Sequence, residues 1–128
     1  MKIDDTPLRV LIVDDEPIIQ FVLSLLFRKE AVVKTVSSAE EALDEVEGQF
    51  YDLCFLDIIL PGMNGLDAMK IINELSPKTK VTIMTGGELD EAMKAQIDTY
   101  AAEFVEKPFT LKRIREIMTL VDAPLPQQ

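Results

Sequence analysis

Histidine and tryptophan are missing from the 128-residue chain, and cysteine occurs once. Without imidazole the chain holds no His-built zinc site, no Ser-His triad and no phosphohistidine of its own. A phosphoryl group arriving from a histidine must therefore come from another protein or domain. The lone Cys54 cannot form an internal disulfide. Its place inside an apolar run marks a small core residue rather than a reactive thiol. No apolar stretch reaches the roughly 18–20 residues of a membrane span. The polar, acidic start, Met1 to Pro7, does not read as a signal peptide. Basic residues are outnumbered, 13 against 23 acidic, for a net charge of −10. Such a field repels nucleic acid and anionic membrane, where affinity rests on basic side chains neutralising phosphates. The expectation is a cytoplasmic protein with no direct nucleic-acid binding and no membrane contact.

What is present is ordinary for one globular domain, 48% hydrophobic and 28% charged residues. Strand-like and helix-like segments alternate five times. Leu8 to Val13 is an apolar run suited to a strand covered on both faces. Glu16-Pro17 opens a helix to about Lys29, with proline at its favoured early place. Ala31 to Val36 is a second strand, and Ser38 to Glu41 has capping-box spacing for a helix to about Glu47. Leu53 to Asp57 is a third strand, followed by a loop dense in breakers and a helix over Leu66 to Leu75. A fourth strand spans about Lys80 to Thr85, and a helix about Leu89 to Asp98. Glu103 to Glu106 is a short fifth strand, and Thr110 caps a last helix ending near Val121. This order implies βαβ units, a parallel sheet and a single domain over residues 1–121, with 122–128 as a flexible tail or linker start.

Four signals sit at the ends of four of these strands: Asp14-Asp15, Asp57, Thr85 and Lys107-Pro108-Phe109. In a parallel sheet all emerge at the carboxyl edge, where open α/β sheets bind ligands. Taken singly each is weak, since Asp-Asp is commonly a helix cap, Lys-Pro a turn and Thr-Gly-Gly a loop. In this order at strand ends, they place three carboxylates, a hydroxyl and an ammonium around one point. Carboxylates that close need compensation. A divalent cation on oxygen ligands supplies it, and magnesium suits one or two carboxylates plus waters and phosphate oxygens. The Ile59 carbonyl can add a further oxygen. Lys107 and Thr85 can hold phosphoryl oxygens, and Asp57 is the candidate nucleophile of aspartyl-phosphate chemistry.

From about Leu8 to Val121 the chain resembles the receiver domain of two-component response regulators. The resemblance rests on Asp14-Asp15-Glu16-Pro17, on Asp57 through Gly65, on Met84-Thr85-Gly86, and on Phe104 through Phe109. It implies a flavodoxin-like, doubly wound five-stranded parallel sheet of order 2-1-3-4-5 with five helices. It also implies phosphorylation of Asp57 from the phosphohistidine of a histidine kinase or histidine phosphotransfer protein. Magnesium would be bound by Asp15, Asp57 and the Ile59 carbonyl, and by Asp14 through water. Thr85 and Phe104 would be the switch pair, moving the surface of the fourth helix, fifth strand and last helix for an unknown downstream protein. Such a domain catalyses only its own phosphorylation and dephosphorylation, and a phosphorylation-dependent homodimer is one further option. Phe104 as plain core packing stays open beside the switch. Two places depart from the family pattern. Ile59 and Gly87, two residues past Asp57 and Thr85, lack the polar side chains that help water attack the phosphoaspartate, so self-dephosphorylation is expected to be slow. Tyr100-Ala101-Ala102 stands where many members carry glycine.

The first helix is greasier than a surface helix needs. Ile19, Leu23 and Leu26 share one face, and Ile18, Val22 and Leu25 another, a candidate docking surface for the donor's helical bundle. The excess can equally pack on the last helix or the chain's ends. Within the family, a relay intermediate or the receiver portion of a larger regulator or hybrid kinase are alternatives. Outside it, a flavin-binding module would want a Ser, Thr and Gly-rich loop where Asp14-Asp15-Glu16 stands. A phosphatase of the haloacid-dehalogenase type would want aspartate at Ile59.

Overall fold

A computed structural model describes residues 7–122. Five strands and five helices alternate: β1 (Leu8–Val13), α1 (Pro17–Phe27), β2 (Ala31–Val36), α2 (Ala39–Gly48), β3 (Leu53–Asp57), α3 (Gly65–Leu75), β4 (Lys80–Thr85), α4 (Glu91–Tyr100), β5 (Glu103–Glu106) and α5 (Leu111–Asp122). All pairings are parallel, as the alternating elements predict, and the order is β2-β1-β3-β4-β5, as the family resemblance implies.

Helices cover both faces of the sheet. One core cluster joins Leu11, Val13, Cys54 and Leu56 to α2 and α3 through Ala42, Val46, Met69 and Ile72. The other joins Val10, Ile12, Phe55 and Val105 to α1 and α5 through Leu23, Phe27, Ile114 and Ile117. Neighbouring strand residues thus face opposite layers, and β3 is buried along its whole length. Cys54 lies in this interior, where burial alone pushes its thiol up to about 12.

Two helices differ by two residues from the expected bounds, α1 at its end and α4 at both ends, the latter closing at Tyr100 rather than Asp98. The first helix stops at Phe27, two residues before Lys29, because the chain turns at Arg28–Glu30 and Glu30 N–H reaches back to Phe27. The fourth begins at Glu91 rather than Leu89, since Asp90 is its N-cap and accepts from Met93 N–H at 2.8 Å. Helix α5 takes in Asp122, the first residue of the expected tail, and residues 123–128 lie outside the described residues. Among the described residues no helix is long and apolar enough to cross a membrane.

Candidate phosphoryl and metal site

Parallel pairing delivers the four strand-end signals to one edge. Met84 carbonyl holds Ile58 N–H at 3.1 Å, and Thr85 carbonyl holds Lys107 N–H at 2.7 Å. The start of α3 presses against the back of Asp57: a Cβ on Gly65 would lie 2.0 Å from the Asp57 carbonyl oxygen. Only glycine allows this approach. In the intervening loop Gly62 has φ of 78°, the left-handed region that favours glycine. Lys107-Pro108 is a cis peptide bond.

Lys107 organises the pocket. Its Nζ lies 2.7 Å from Asp14 Oδ2, 2.8 Å from Glu16 Oε1 and 3.0 Å from Asp57 Oδ2. An ammonium has three N–H donors and no more, so the three carboxylates share a single cation. Burial opposes the charge on Lys107, but its contacts with the carboxylates of Asp14, Glu16 and Asp57 outweigh it and hold its pKa above the usual lysine value. Asp14, fully buried, is shifted the other way for an acid. Desolvation raises its pKa, and Asp57's charge adds to this, against the lowering effect of Lys107 and of the Glu16 N–H on Oδ1. The contact of Asp14 Oδ2 with Lys107 is an ion pair out of hydrogen-bond alignment, leaving that buried oxygen without a hydrogen bond.

Ligand oxygens of Asp14, Glu16 and Asp57 lie within 4.8 Å of one another. Glu16 is the member that sequence reasoning missed, having been assigned only to the opening of α1. The bend at Asp15 explains its arrival: Glu16 N–H folds back to donate to Asp14 Oδ1 at 2.8 Å, which brings the two residues together. Asp15 between them is exposed and stands on the rim of a cavity of about 540 Å³ that Glu16, Asp57, Ile59 and Lys107 also line. Ile59 donates its N–H to Asp57 Oδ1 at 3.1 Å, and its side chain is 71% exposed. An unbonded buried carboxylate oxygen among clustered carboxylates is a donor set that fits a hard cation such as magnesium.

The other sequence-predicted residues lie farther out. Thr85 is buried, and its hydroxyl exchanges hydrogen bonds with Gly87, donating to the carbonyl and accepting from the N–H, both at 3.2 Å. Phe104 is half-buried against the core cluster under α4. On α1, Ile18, Val22 and Leu25 are exposed, and so is Phe21, which widens the apolar face. Ile19, Leu23 and Leu26 pack inward. Gln20 ties α1 to the strand ends through the Asp14 and Val36 carbonyls at 2.6 and 3.3 Å.

Sheet order and edge pocket together define a flavodoxin-like α/β domain with an acid-and-lysine site. The chain belongs to the response regulator receiver domain family, whose model matches residues 10–119. It is 35% identical over 111 residues to sporulation initiation phosphotransferase F of Bacillus subtilis, covering 84% of this chain and 88% of that protein. To the response regulator PilR of Pseudomonas aeruginosa it is 36% identical over 112 residues, 86% of this chain but 25% of PilR. It thus spans a quarter of that longer regulator, and 49% of TcrX of Mycobacterium tuberculosis. A receiver domain from Methanospirillum hungatei superposes with a TM-score of 0.85 at 25% identity, covering 91% of this chain and 95% of that one.

Proposed function

We propose that this receiver accepts a phosphoryl group on Asp57 from the phosphohistidine of a histidine kinase or histidine phosphotransfer protein, in a magnesium-dependent reaction, and thereby switches the face of α4, β5 and α5 for a downstream protein. The observation that carries the reading is the single Lys107 ammonium shared by Asp14, Glu16 and Asp57. Such a pocket is short of positive charge and has a carboxylate nucleophile at its centre. Asp57 Oδ2 attacks phosphorus, the phosphorus–nitrogen bond breaks, and the electron pair leaves with the donor's imidazole. Lys107 stays beside Asp57 and takes a phosphoryl oxygen in place of the carboxylate oxygen it held. Magnesium, with Asp14, Asp15, Asp57 and the Ile59 carbonyl as its ligands, would supply charge neutralisation of the phosphoryl oxygens. Thr85 exchanges its Gly87 partners for another phosphoryl oxygen, and Phe104 follows inward.

Intact mass after incubation with a small phosphodonor and magnesium tests this directly. One added phosphoryl group that Asp57→Asn abolishes is the expected result, and no adduct on the native chain at any time point would sink it. The exposed face of Ile18, Val22 and Leu25, joined by Phe21, is where the donor docks. Replacing Val22 and Leu25 with serine should slow transfer from the kinase by about tenfold yet leave the small phosphodonor rate unchanged. Equal loss from both donors contradicts docking there. Ile59 and Gly87 bring no polar side chain to orient a water, so the phosphoaspartate should last for minutes or longer. A half-life of seconds after donor removal would rule that out.

A further inference from the structure

Of the two edge strands, β5 has its main chain covered at its middle and β2 does not. Phe104 N–H donates to Glu103 Oε1 at 3.2 Å, and the Phe104 carbonyl accepts from Arg113 at 2.9 Å. On β2 the Val36 carbonyl accepts from Asp14 N–H, and Val13 is its partner in the parallel register with β1. Val36 therefore turns its main chain toward β1. Main-chain groups of successive strand residues point to opposite sides. Val32 and Lys34 thus also face β1, while Ala31, Val33 and Thr35 turn their main chain away from the sheet. Among the described residues nothing bonds to those outward N–H and C=O groups. A row of unpaired main-chain groups is a template for a further strand.

Grooves flank this edge on both faces of the sheet. On the α1 side, one of about 440 Å³ runs between Phe21, Leu25 and Arg28 and the β2 residues Ala31, Val33 and Thr35. Phe21 and Leu25 are exposed and four residues apart, so they form an apolar wall along the strand. Ile18 and Val22 do not line it. On the α2 side, a groove of about 320 Å³ lies among Lys34 and the carboxylates of Glu41, Asp44 and Glu45. Lys34 leans to Glu45 at 3.9 Å, and Glu41 accepts from Ser37 N–H at 2.8 Å. The Asp44 carboxylate has no partner among the described residues.

A strand laid along β2 would send its side chains alternately into the two grooves. Those on the α1 side meet the apolar wall, and those on the α2 side meet three carboxylates against one ammonium. The match is an extended segment with apolar residues at alternate positions and Lys or Arg between them. A second copy of this chain fits less well, since each copy carries a net charge of −10 and the two repel. We propose that the free edge of β2 takes such a segment from a partner protein as a sixth strand. Phosphorylation plays no part in this, so it stands apart from the phosphoacceptor reading above.

The test is a fluorescence-anisotropy titration of the full chain with a labelled synthetic peptide of about eight residues that alternates valine and lysine. A peptide of the same composition, with its valines and lysines in separate blocks, should bind at least about tenfold more weakly. Equal binding of the two would mean plain attraction to an acidic chain and would overturn the proposal. So would no binding of the alternating peptide up to about 1 mM, or tighter binding of a version with glutamates in place of the lysines. Single N-methyl groups along the peptide should weaken binding at every second amide only, by about fivefold or more, because only those amides face β2. Losses without that period would rule out an added strand. Asp44→Lys should weaken binding, whereas Asp98→Lys, the same change of charge on α4, should leave it nearly unchanged; equal effects would overturn the placement. Val33→Pro removes one outward N–H and none of the bonds to β1, and it should abolish binding. Where that variant loses the native urea midpoint, the N-methyl series on the native chain decides. Self-association of the native chain that Val33→Pro abolishes would give the edge to a second copy and overturn the choice of partner.

Discussion

Two buried polar groups stand at opposite ends of the sheet, and they are finished to different degrees. At the end where β1 and β3 begin, the fully buried Tyr51 donates to Glu45 Oε1 at 2.5 Å and accepts from Gln49 at 3.1 Å. Gln49 in turn accepts from Arg9, whose guanidinium lies 5.5 Å from the centre of the Tyr51 ring. Arg9 N–H also holds Asp52 at 2.9 Å. Most donors and acceptors there answer one another within the chain, with the buried Arg9 Nε left over. At the carboxyl edge, three carboxylates share Lys107, and a buried oxygen of Asp14 has no hydrogen bond. A nearly closed network of this kind, with no excess of carboxylates over cations like that around Lys107, serves to hold the fold, since unsatisfied buried groups are costly. The open one costs stability that a bound cation can return.

Removing Lys107 is the strongest way to break the contrast. Lys107→Ala leaves Asp14 and Asp57 buried without their counter-ion, and loss of one partner of a buried ion pair costs about 3 kcal/mol. Urea unfolding of the metal-free variant should show that loss, and millimolar magnesium should return part of it. A variant as stable as the native chain without magnesium would mean that Lys107 neutralises nothing there. The raised pKa of Lys107 sets the matching pH behaviour. Its contribution is fully present below the ordinary lysine pKa of 10.5 and is lost only as pH rises through the higher folded value.

The same contrast separates what was legible in the sequence from what was not. Strand ends were legible because each apolar run closes on or just before a polar residue, Asp14, Asp57, Thr85 or Lys107. Parallel pairing then carried all four to one edge without further information. Which carboxylate meets the lysine was not legible. Glu16 and Lys107 are 91 residues apart, and in sequence Glu16 beside Pro17 reads completely as the start of a helix. Its arrival depends on the bend at Asp15, across which Glu16 N–H reaches Asp14 Oδ1. Phe21 was missed for a related reason: helical spacing groups apolar residues into faces but does not say which face the sheet leaves uncovered. Thr85 shows a third kind of gap, since the sequence supplies the hydroxyl but not its present partners on Gly87.

Acidity should act on the two ends in opposite directions. The pKa of Asp14 is raised in the fold above 3.8, chiefly by burial. Between that ordinary value and the raised one the folded chain keeps a proton that the unfolded chain releases, so stability falls as pH climbs through this window. Asp14→Asn should abolish that slope and raise metal-free stability at neutral pH by about 1 kcal/mol, read from unfolding midpoints across a pH series. An unchanged slope would show that Asp14 is not the strained member of the trio.

Tyr51→Phe should give the smallest effect and the sharpest control. The hydroxyl of Tyr51 is the main influence holding the Glu45 pKa below 4.5, so its contribution is present above that pH and is lost as pH falls through the lowered value. Phenylalanine keeps the ring under Arg9 and removes both hydrogen bonds of the hydroxyl, for a loss of about 1 kcal/mol at neutral pH. The difference between variant and native chain should shrink in acid, where Glu45 is protonated in both. Magnesium and phosphodonor responses should be untouched, because the network lies at the far end of the sheet from Asp57. A change in phosphorylation rate with Tyr51→Phe would mean that the two ends are coupled through β3, and the closed network would then belong to the switch as well as to the fold.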